Sequence, residues 1–185
     1  MKFEKEFLIK DGRKLLIRHA EEKDAPEVLR SFLLTHGETD FLKTYPEEST
    51  MTAEDEARFL RRVEEDARSA ELIAVLDGRV VGCAGISPVG TCLKLRHRAD
   101  LGISVEMTYW RLGIGRALME CCLECAASAG YLQVELEVVG ENTAAVGLYQ
   151  KMGFREYGRH PMGFRRKDGQ WQTLVYMRRP LCEEQ

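Results

Sequence analysis

The sequence lacks a long apolar segment. No uninterrupted apolar run approaches the roughly 20 residues that a helix needs to cross a bilayer. Charged residues make up 31% of the chain, and the opening stretch MKFEKEFLIK carries charges throughout, unlike a signal peptide. We therefore expect a soluble, cytoplasmic protein that has no membrane partner.

An excess of charge of one sign is also lacking. The 27 basic and 30 acidic residues leave a formal net charge of -3. Such a balance gives no general attraction to nucleic acids or to anionic membrane surfaces. The basic stretches KLRHRAD and GFRRKDGQW are too local to change this, so we expect no nucleic acid partner.

The six cysteines lack the regular spacing of a disulfide framework, and free thiols of this kind fit a reducing cytosol. Three of them, Cys121, Cys122 and Cys125, form a cluster. No nearby histidine and no second cysteine pair completes a four-ligand metal site there. Because free cysteine is mostly a buried residue, we interpret the cluster as core packing and expect no metal.

Length and turn signals predict one compact unit that begins with hairpins. A chain of 185 residues, 44% of them hydrophobic, can bury one sizeable core, so we predict a single domain over residues 1–185. Strand-like runs flank Asp11-Gly12 and also Asp77-Gly78, and a dipeptide of this type between β-like runs indicates a tight hairpin turn.

Two helices are predicted between these hairpins. The stretch DAPEVLRSFLLTHG offers Asp24 as the N-cap and Gly37 as the stop of the first helix. After a polar loop, the second helix is predicted to be capped by Thr52 and to run to about Ser69.

The second half of the chain alternates strands and helices. The strand ADLGISVEM leads through a glycine-containing corner into a helix from about Gly113 to Ala129. YLQVELEVV is predicted as a strand, NTAAVGLYQKM as a short helix, Gly153-Phe154 as a turn into the next strand and QWQTLVYMRR as a last strand. The predicted order is ββααβββαβαβ, which places the chain in the α/β class.

The corner in YWRLGIGRALME carries two glycines just before a helix. Such a corner lets backbone N–H groups converge near the positive end of the helix dipole, an arrangement that suits a phosphate. A P-loop would need a lysine and a hydroxyl residue after the last glycine, where this chain has Arg116 and Ala117. A dinucleotide fingerprint would need three glycines within parallel βαβ units. A diphosphate site remains, and glycines that serve turn geometry alone are the alternative.

A second stretch, LEVVGENTAAVGLYQKMGF, makes the interpretation specific. Together with ISVEMTYWRLGIGRAL, it resembles the acetyl-CoA signature of the GNAT superfamily of N-acetyltransferases. The resemblance covers about Ala70 to Tyr157, and the element order extends it over the chain. It implies a GNAT fold, a mixed and mostly antiparallel sheet flanked by helices, that takes acetyl-CoA as acetyl donor and needs no metal.

The resemblance also implies positions for the donor. Ile103, Ser104 and Val105 would pair their backbone with the pantetheine arm, and Asn142 would contact acetyl-CoA where two strands splay apart. Trp110 stands where the family often carries glutamine or arginine. The pyrophosphate would be held by the corner residues Arg111, Leu112, Gly113, Ile114, Gly115 and Arg116. Helix capping by Asn142 and solvated helix-start arginines are the alternatives.

Acetyl transfer to an amine needs a base and an acid. Tyr149 would donate a proton to the departing thiolate, and its alternative is a core aromatic. Glu137 stands twelve residues before Tyr149, as does the proposed base of ribosomal-protein alanine acetyltransferases, which this stretch resembles. Glu135 shares its strand face and could form a coupled pair with it. Glu106 is the rival base, and solvated strand-end acids are the alternative for all three.

The loop THGETDFLKTYPEES is the predicted acceptor site, since loops on a rigid scaffold often carry binding residues. Asp40 would receive an ammonium group, while Phe41 and Tyr45 would supply apolar walls and cation–π contacts. The expected reaction is direct attack of a primary amine, from a small molecule or a protein N-terminus, in a ternary complex. A homodimer is also expected from the resemblance, because many members of the family are dimers. A non-catalytic acyl-CoA-binding or sensing module is the alternative function.

Overall fold

The computed structural model describes residues 3–182. It contains four α-helices: α1 Ala25–Glu38, α2 Ala53–Glu65, α3 Ile114–Ser128 and α4 Thr143–Lys151. It contains eight strands: β1 Glu4–Leu8, β2 Lys14–His19, β3 Ala70–Leu76, β4 Arg79–Pro88, β5 Arg98–Val105, β6 Gln133–Val139, β7 Arg155–Arg165 and β8 Trp171–Pro180. None of the helices within residues 3–182 is long and apolar enough to cross a membrane.

The strands form one mixed, mostly antiparallel sheet in the order β1-β2-β3-β4-β5-β6-β8-β7. This confirms the predicted fold class, with one strand more than the predicted order contains. The additional strand is β7, which forms a hairpin with β8. β7 begins directly after the predicted Gly153-Phe154 turn, lies at the edge of the sheet and is mostly exposed.

The β5–β6 pair is parallel, unlike the other neighbouring strands of the sheet. Its pairing covers only Arg98–Asp100 against Gln133–Glu135. Both strands continue beyond this short joint, β5 to Val105 and β6 to Val139, without pairing to each other. The sheet therefore opens between two strands at its centre.

Helices cover both faces of the sheet. Leu118, Met119 and Cys122 of α3 pack against Leu101 of β5 and Leu136 of β6 in the larger core. On the opposite face, a smaller cluster brings together the buried residues Val28, Leu60, Ile73 and Val80 from α1, α2, β3 and β4. The larger core thus supports β5 and β6 next to the opening, whereas the smaller core packs against β3 and β4.

Of the N-caps predicted for the first two helices, one forms and the other does not. Thr52 caps α2 as predicted: its Oγ1 accepts the N–H of Asp55 at 3.2 Å, and the Asp55 carboxylate accepts the N–H of Thr52 at 2.9 Å. Asp24 precedes α1, but its carboxylate does not cap that helix. It accepts hydrogen bonds from Arg18 at 2.6 and 2.8 Å instead, because the guanidinium is a stronger partner than a terminal N–H.

The predicted end of α2 at Ser69 was too late. The helix ends at Glu65 because Asp66 adopts an extended backbone conformation, with φ of -90° and ψ of 110°. The Asp66 carboxylate then accepts hydrogen bonds from the Ser69 hydroxyl at 2.6 Å and from the N–H of Arg68 at 2.9 Å, which close a turn before β3.

Candidate active site

The backbone of β5 determines which residues face the opening. Glu106 N–H donates to the Val81 carbonyl at 3.0 Å, and Val89 N–H donates to the Arg98 carbonyl at 3.2 Å. Since successive residues of a strand point their backbone groups to opposite sides, the even-numbered residues of β5 are bonded to β4. Ile103 and Val105 consequently present their N–H and C=O groups to the opening. The backbone of Ser104 was also predicted to pair with the pantetheine arm. Its N–H and C=O groups point instead to β4, where Ser104 pairs with Cys83, so they are not available to the arm.

One of these edge groups has a partner that the sequence does not reveal. The indole Nε1 of Trp110 donates a hydrogen bond to the Val105 carbonyl at 2.6 Å. Trp110 remains 42% exposed although it makes this contact. Its side chain thus lies against the open edge of β5.

The glycine corner lies between Trp110 and α3. Gly113 has φ of 100°, which explains the need for glycine, and Arg111 adopts φ of 64°, an unusual value for a residue with a side chain. The first helical bond runs from Ala117 N–H to the Gly113 carbonyl at 3.1 Å. Within residues 3–182, the backbone N–H groups of residues 112–116 have no protein acceptor. They form a cradle of donors at the positive end of α3.

Gly115 lies close to side chains of β5 and of α4. A Cβ added there would lie 3.5 Å from Leu148 Cδ2, 3.9 Å from Ile103 Cδ1 and 4.0 Å from Val105 Cγ2. The position therefore joins the start of α3, the edge of β5 and helix α4. A larger side chain at Gly115 would fill this space.

Helix α4 brings Asn142 and Tyr149 to the same opening, where both line the cleft. The side-chain oxygen of Asn142 accepts the Ala145 N–H at 3.2 Å. This oxygen therefore caps the helix, which was the alternative to a contact with acetyl-CoA. Tyr149 is 7% exposed, and burial raises the pKa of its hydroxyl to about 12.

The opening widens into a cleft of about 590 Å³. Glu137 lies on its wall with an exposed side chain, opposite Tyr176 of β8. Aromatic side chains from three separate elements complete the wall: Phe41, Tyr157 and Tyr176. The cleft therefore combines an exposed carboxylate with aromatic side chains on its wall.

Glu135 lines the same cleft but is held in place. Arg98 binds both of its carboxylate oxygens, one of them at 2.6 Å. Gln133 Nε2 donates to it at 2.7 Å and the Tyr157 hydroxyl at 3.3 Å. Burial alone would raise the pKa of Glu135, but the hydrogen bonds from Arg98, Gln133 and Tyr157 bring it below its ordinary value. Glu135 stays ionised as a structural partner of Arg98.

Asp100 is a cleft residue that the sequence analysis missed. It lies opposite Glu135 in the short parallel joint and lines the cleft together with Glu137. Partial burial and then the charges of Glu137 and Glu135 raise the pKa of Asp100. One signal in the sequence could have revealed Asp100. In the strand ADLGISVEM, side chains alternate between faces, so Asp100 shares a face with Ser104, which the sequence analysis had already assigned to the donor site.

Glu106 occupies a different environment. It is 2% exposed, and its two oxygens accept hydrogen bonds from Arg30 at 2.8 Å and from Arg79 at 3.0 Å. Arg30 also donates to the Val80 carbonyl at 2.6 Å. The structure thus places Glu106 in an ion-pair cluster that joins α1 to β4, away from the cleft lining that contains Glu137 and Tyr149.

The loop between α1 and α2 closes one side of the cleft. Of its three predicted acceptor residues, Phe41 lines the cleft, together with Leu42 and Lys43. Asp40 forms an ion pair with Arg166 at 2.9 Å, and the Tyr45 hydroxyl accepts the Lys167 N–H at 3.2 Å. Asp40 and Tyr45 therefore fasten the loop to the β7–β8 hairpin.

The cysteine cluster lies away from the cleft. Cys121 and Cys122 are fully buried in the larger core, which confirms the packing interpretation. In the part of the chain that the structure describes, no group of three or more histidine, cysteine or acidic residues is placed to hold a metal ion.

This geometry, an open strand edge beside a cradle of donors at a helix start, agrees with the family comparison. The sequence model described as the acetyltransferase (GNAT) family matches residues 34–154. The chain belongs to the GNAT acetyltransferase family. A GNAT acetyltransferase structure from Streptococcus pneumoniae is 33% identical, covers 90% of this chain and 99% of its own, and superposes with a TM-score of 0.85.

Curated GNAT relatives match over different lengths. The L-amino acid N-acetyltransferase AaaT of Escherichia coli K12 is 28% identical over 166 residues, which are 89% of this chain and 97% of AaaT. N-acetyltransferase family 8 member 3 of Rattus norvegicus is 36% identical over 87 residues, 46% of this chain. The matched segment spans only 38% of that rat protein.

A more distant structure shows the same fold with a ligand. The yncA protein of Salmonella typhimurium was solved with its cofactor acetyl-CoA and has a TM-score of 0.82 to this GNAT chain. It is 18% identical, and the alignment covers 92% of this chain and 95% of yncA.

Proposed function

We propose that this chain is a single N-acetyltransferase domain that moves an acetyl group from acetyl-CoA to a primary amine by direct attack in a ternary complex. The observation that carries the proposal is the opening between β5 and β6. An unpaired strand edge and a cradle of N–H donors lie on its donor side, and Glu137 and Tyr149 lie on the wall of the adjoining cleft.

The donor side fits the shape and charge of acetyl-CoA. The backbone groups of Ile103 and Val105 that face the opening would pair with the amides of the pantetheine arm, as an added strand pairs with a sheet edge. The N–H groups of residues 112–116 would bind the diphosphate, whose negative charge is stabilised at the start of α3. Arg111 would add charge at the rim, whereas Arg116 is paired with Glu120 at 2.8 Å.

Glu137 is the proposed general base. An ammonium ion has no lone pair for attack, so it first gives a proton to the Glu137 carboxylate. The amine nitrogen then forms a bond to the thioester carbonyl carbon and gives its second proton to solvent, and the carbon–sulfur bond breaks. Coenzyme A leaves as a thiolate, and the products are an amide and the free thiol.

Tyr149 is proposed to stabilise the thiolate through a hydrogen bond. A coenzyme A thiol has a pKa of about 8.5, as for an ordinary thiol, well below the Tyr149 pKa of about 12. Complete proton transfer from Tyr149 would therefore be unfavourable. The tyrosine donates a hydrogen bond to the sulfur, and solvent supplies the proton after departure.

The acceptor side suits a small amine. Asp100 and Glu137 provide negative charge for an ammonium group, and Phe41, Tyr157 and Tyr176 provide apolar and cation–π contacts. Lys43, on the same wall, could meet a carboxylate of the acceptor. Because the similar protein AaaT is named an L-amino acid N-acetyltransferase, we place L-amino acids first among the candidate acceptors.

The test is release of free thiol from acetyl-CoA in the presence of L-amino acids, polyamines or peptides with a free N-terminus. We expect amine-dependent release that is lost in Glu137→Gln. Tight acetyl-CoA binding without release for any amine would support the alternative, a non-catalytic acyl-CoA-binding or sensing module. If acetyl-CoA did not bind at all, the proposed function would be wrong.

A further inference from the structure

The contact between Trp110 and Val105 lies at the strand edge that the proposed function reserves for the donor. The indole N–H donates to the Val105 carbonyl at 2.6 Å, which is a short distance for an N–H···O bond. The inference below rests on the proposed function, because it concerns how the pantetheine arm reaches this edge.

Val105 is the last residue of β5 and the edge residue nearest to the glycine corner. Beyond the short parallel joint, only alternate residues of β5 point their backbone to the opening. An arm that runs from the corner along β5 would meet the Val105 carbonyl before the Ile103 carbonyl. The indole thus occupies the first acceptor that a pantetheine amide would reach.

Trp110 is held loosely enough to move. It is 42% exposed, and an indole has a single N–H donor, which this contact uses. Its backbone follows a tight turn, in which Trp110 N–H donates to the Met107 carbonyl at 3.1 Å. The side chain can leave the strand edge without opening either core, since Trp110 is part of neither.

We propose that Trp110 is a positioning residue that competes with the pantetheine arm for the Val105 carbonyl, and that acetyl-CoA displaces the indole when it binds. The single N–H of the indole is directed at this carbonyl oxygen, so a pantetheine amide competes with it for the same acceptor. The contact satisfies the Val105 carbonyl in the free protein and lowers the affinity for the donor.

The first test compares two ligands and two proteins by calorimetry. Trp110→Phe keeps an aromatic ring and removes the competing N–H. It should bind acetyl-CoA about two- to tenfold more tightly than the wild type, the range that one hydrogen bond commonly accounts for. Adenosine 3′,5′-bisphosphate, which lacks the pantetheine arm, should bind both proteins equally.

The second test uses Trp171→Phe, which leaves Trp110 as the sole tryptophan of the chain. Trp171 starts β8, is 49% exposed and does not line the cleft. Saturating acetyl-CoA should shift the emission of Trp110 to longer wavelength, because the displaced indole enters water. Adenosine 3′,5′-bisphosphate should leave the emission unchanged.

The outcomes separate this inference from the proposed function. If wild-type protein binds and uses acetyl-CoA, but Trp110→Phe binds it no more tightly, the competition does not exist. An unchanged Trp110 emission at saturation overturns the displacement even if Trp110→Phe fails to fold. Weaker binding of both ligands by Trp110→Phe would assign Trp110 to the stability of the corner instead. If wild-type protein binds no acetyl-CoA, the inference and the proposed function both fail.

Discussion

At the scale of single residues, the acidic side chains near the reaction site fall into two kinds. Arginines hold Glu135 and Glu106, whereas Glu137 and Asp100 have no hydrogen-bonded cation among residues 3–182. Glu137 lines the cleft together with Tyr149, whereas Glu106 is 2% exposed, lies outside that lining and has both oxygens bound by arginines. We therefore propose Glu137 rather than Glu106 as the base.

Glu137→Gln should lower kcat/KM by about 10²–10⁴-fold near neutral pH, since a positioned base contributes that much. The loss should shrink as the pH rises, because more of the amine is already deprotonated. Steady-state kinetics across pH measure it, with Glu54→Gln on the exposed surface of α2 as a charge-matched control. A wild-type profile in Glu137→Gln together with a lost limb in Glu106→Gln would transfer the role to Glu106.

Tyr149→Phe should cause a smaller loss, about tenfold or less, because a hydrogen bond to the thiolate is removed without a proton transfer. Burial raises the pKa of Tyr149 to about 12, so its hydroxyl stays protonated at the pH values of ordinary assays. The wild-type pH–rate profile should then have no descending limb from this residue below about pH 11. A descending limb near pH 8–9 that disappears in Tyr149→Phe would contradict this assignment.

The sequence predicted the residue types of the site better than their roles. Glu137, Tyr149, Asn142 and Phe41 all line one cleft. Asp40 and Tyr45 do not, because their partners Arg166 and Lys167 lie more than 100 residues away in sequence, and no local pattern reveals such contacts. Local spacing in the sequence predicted which polar side chains lie near the cleft. Whether such a side chain is already bound to another residue depends on partners that are far away in sequence.

At the scale of elements, the two glycines in the corner between β5 and α3 have different roles. Gly113 has φ of 100° and no heavy atom within 4 Å of an added Cβ, so its glycine serves the backbone conformation. Gly115 has an ordinary conformation but borders the space between β5 and α4. Substitutions at the two positions should therefore fail in different ways.

Gly115→Val should weaken acetyl-CoA binding by tenfold or more while the fold survives, because its side chain would enter the space beside Ile103 and Val105. Gly113→Ala should mainly lower the free energy of unfolding, by about 1–2 kcal/mol, since a side chain at positive φ is strained. Calorimetry and thermal denaturation of both variants separate these effects. Equal acetyl-CoA affinity of Gly115→Val and wild type would remove this position from the donor site.

The loop between α1 and α2 should control the acceptor. Phe41→Ala should raise the acceptor KM several-fold and leave acetyl-CoA affinity unchanged, because Phe41 reaches the cleft from the loop and belongs neither to the edge of β5 nor to the donor cradle. Asp40→Asn should raise the acceptor KM less, because it only weakens the ion pair with Arg166 that holds the loop. In a double-mutant cycle, Asp40→Asn should add nothing once Arg166→Met is present. Additive effects would mean that Asp40 contacts the acceptor directly.

Elements with local signals were predicted well, and those set by tertiary context were not. The Thr52 cap and both Asp-Gly hairpins follow from turn and capping chemistry, which involves only neighbouring residues. The end of α2 is an exception, because the turn at Asp66 that ends the helix is local and was still predicted too late. The unpaired length of β5 depends on where β6 diverges, and no residue of either strand encodes that alone.

At the scale of the whole molecule, the sheet consists of two antiparallel parts. β1 to β5 form one part and β6 to β8 the other, and the three-residue parallel joint connects them within the sheet. The proposed donor site contacts both parts, through β5 and the corner on one side and through α4 after β6 on the other. Ligand binding should therefore be linked to how firmly the two parts are held together.

Acetyl-CoA should raise Tm and slow hydrogen exchange on both sides of the opening, in β5 and in β6. The stabilisation should grow with ligand concentration, by about 2.7 kcal/mol at one hundred times the Kd. Hydrogen exchange with mass spectrometry measures the protection of β5 and β6. Strands β1 and β2, which are remote from the opening, serve as the internal control. Protection restricted to β5 would show that the ligand does not bridge the two parts.

The narrow joint also makes this protein divisible. The connection between α3 and β6 passes through residues 129–132, so a cut there would leave each fragment with its own antiparallel strands. Their reunion would depend on the three joint pairs, on core packing against α3 and on any ligand that spans the seam. A split version of the chain, with a reporter on each fragment, would convert acetyl-CoA concentration into an association signal.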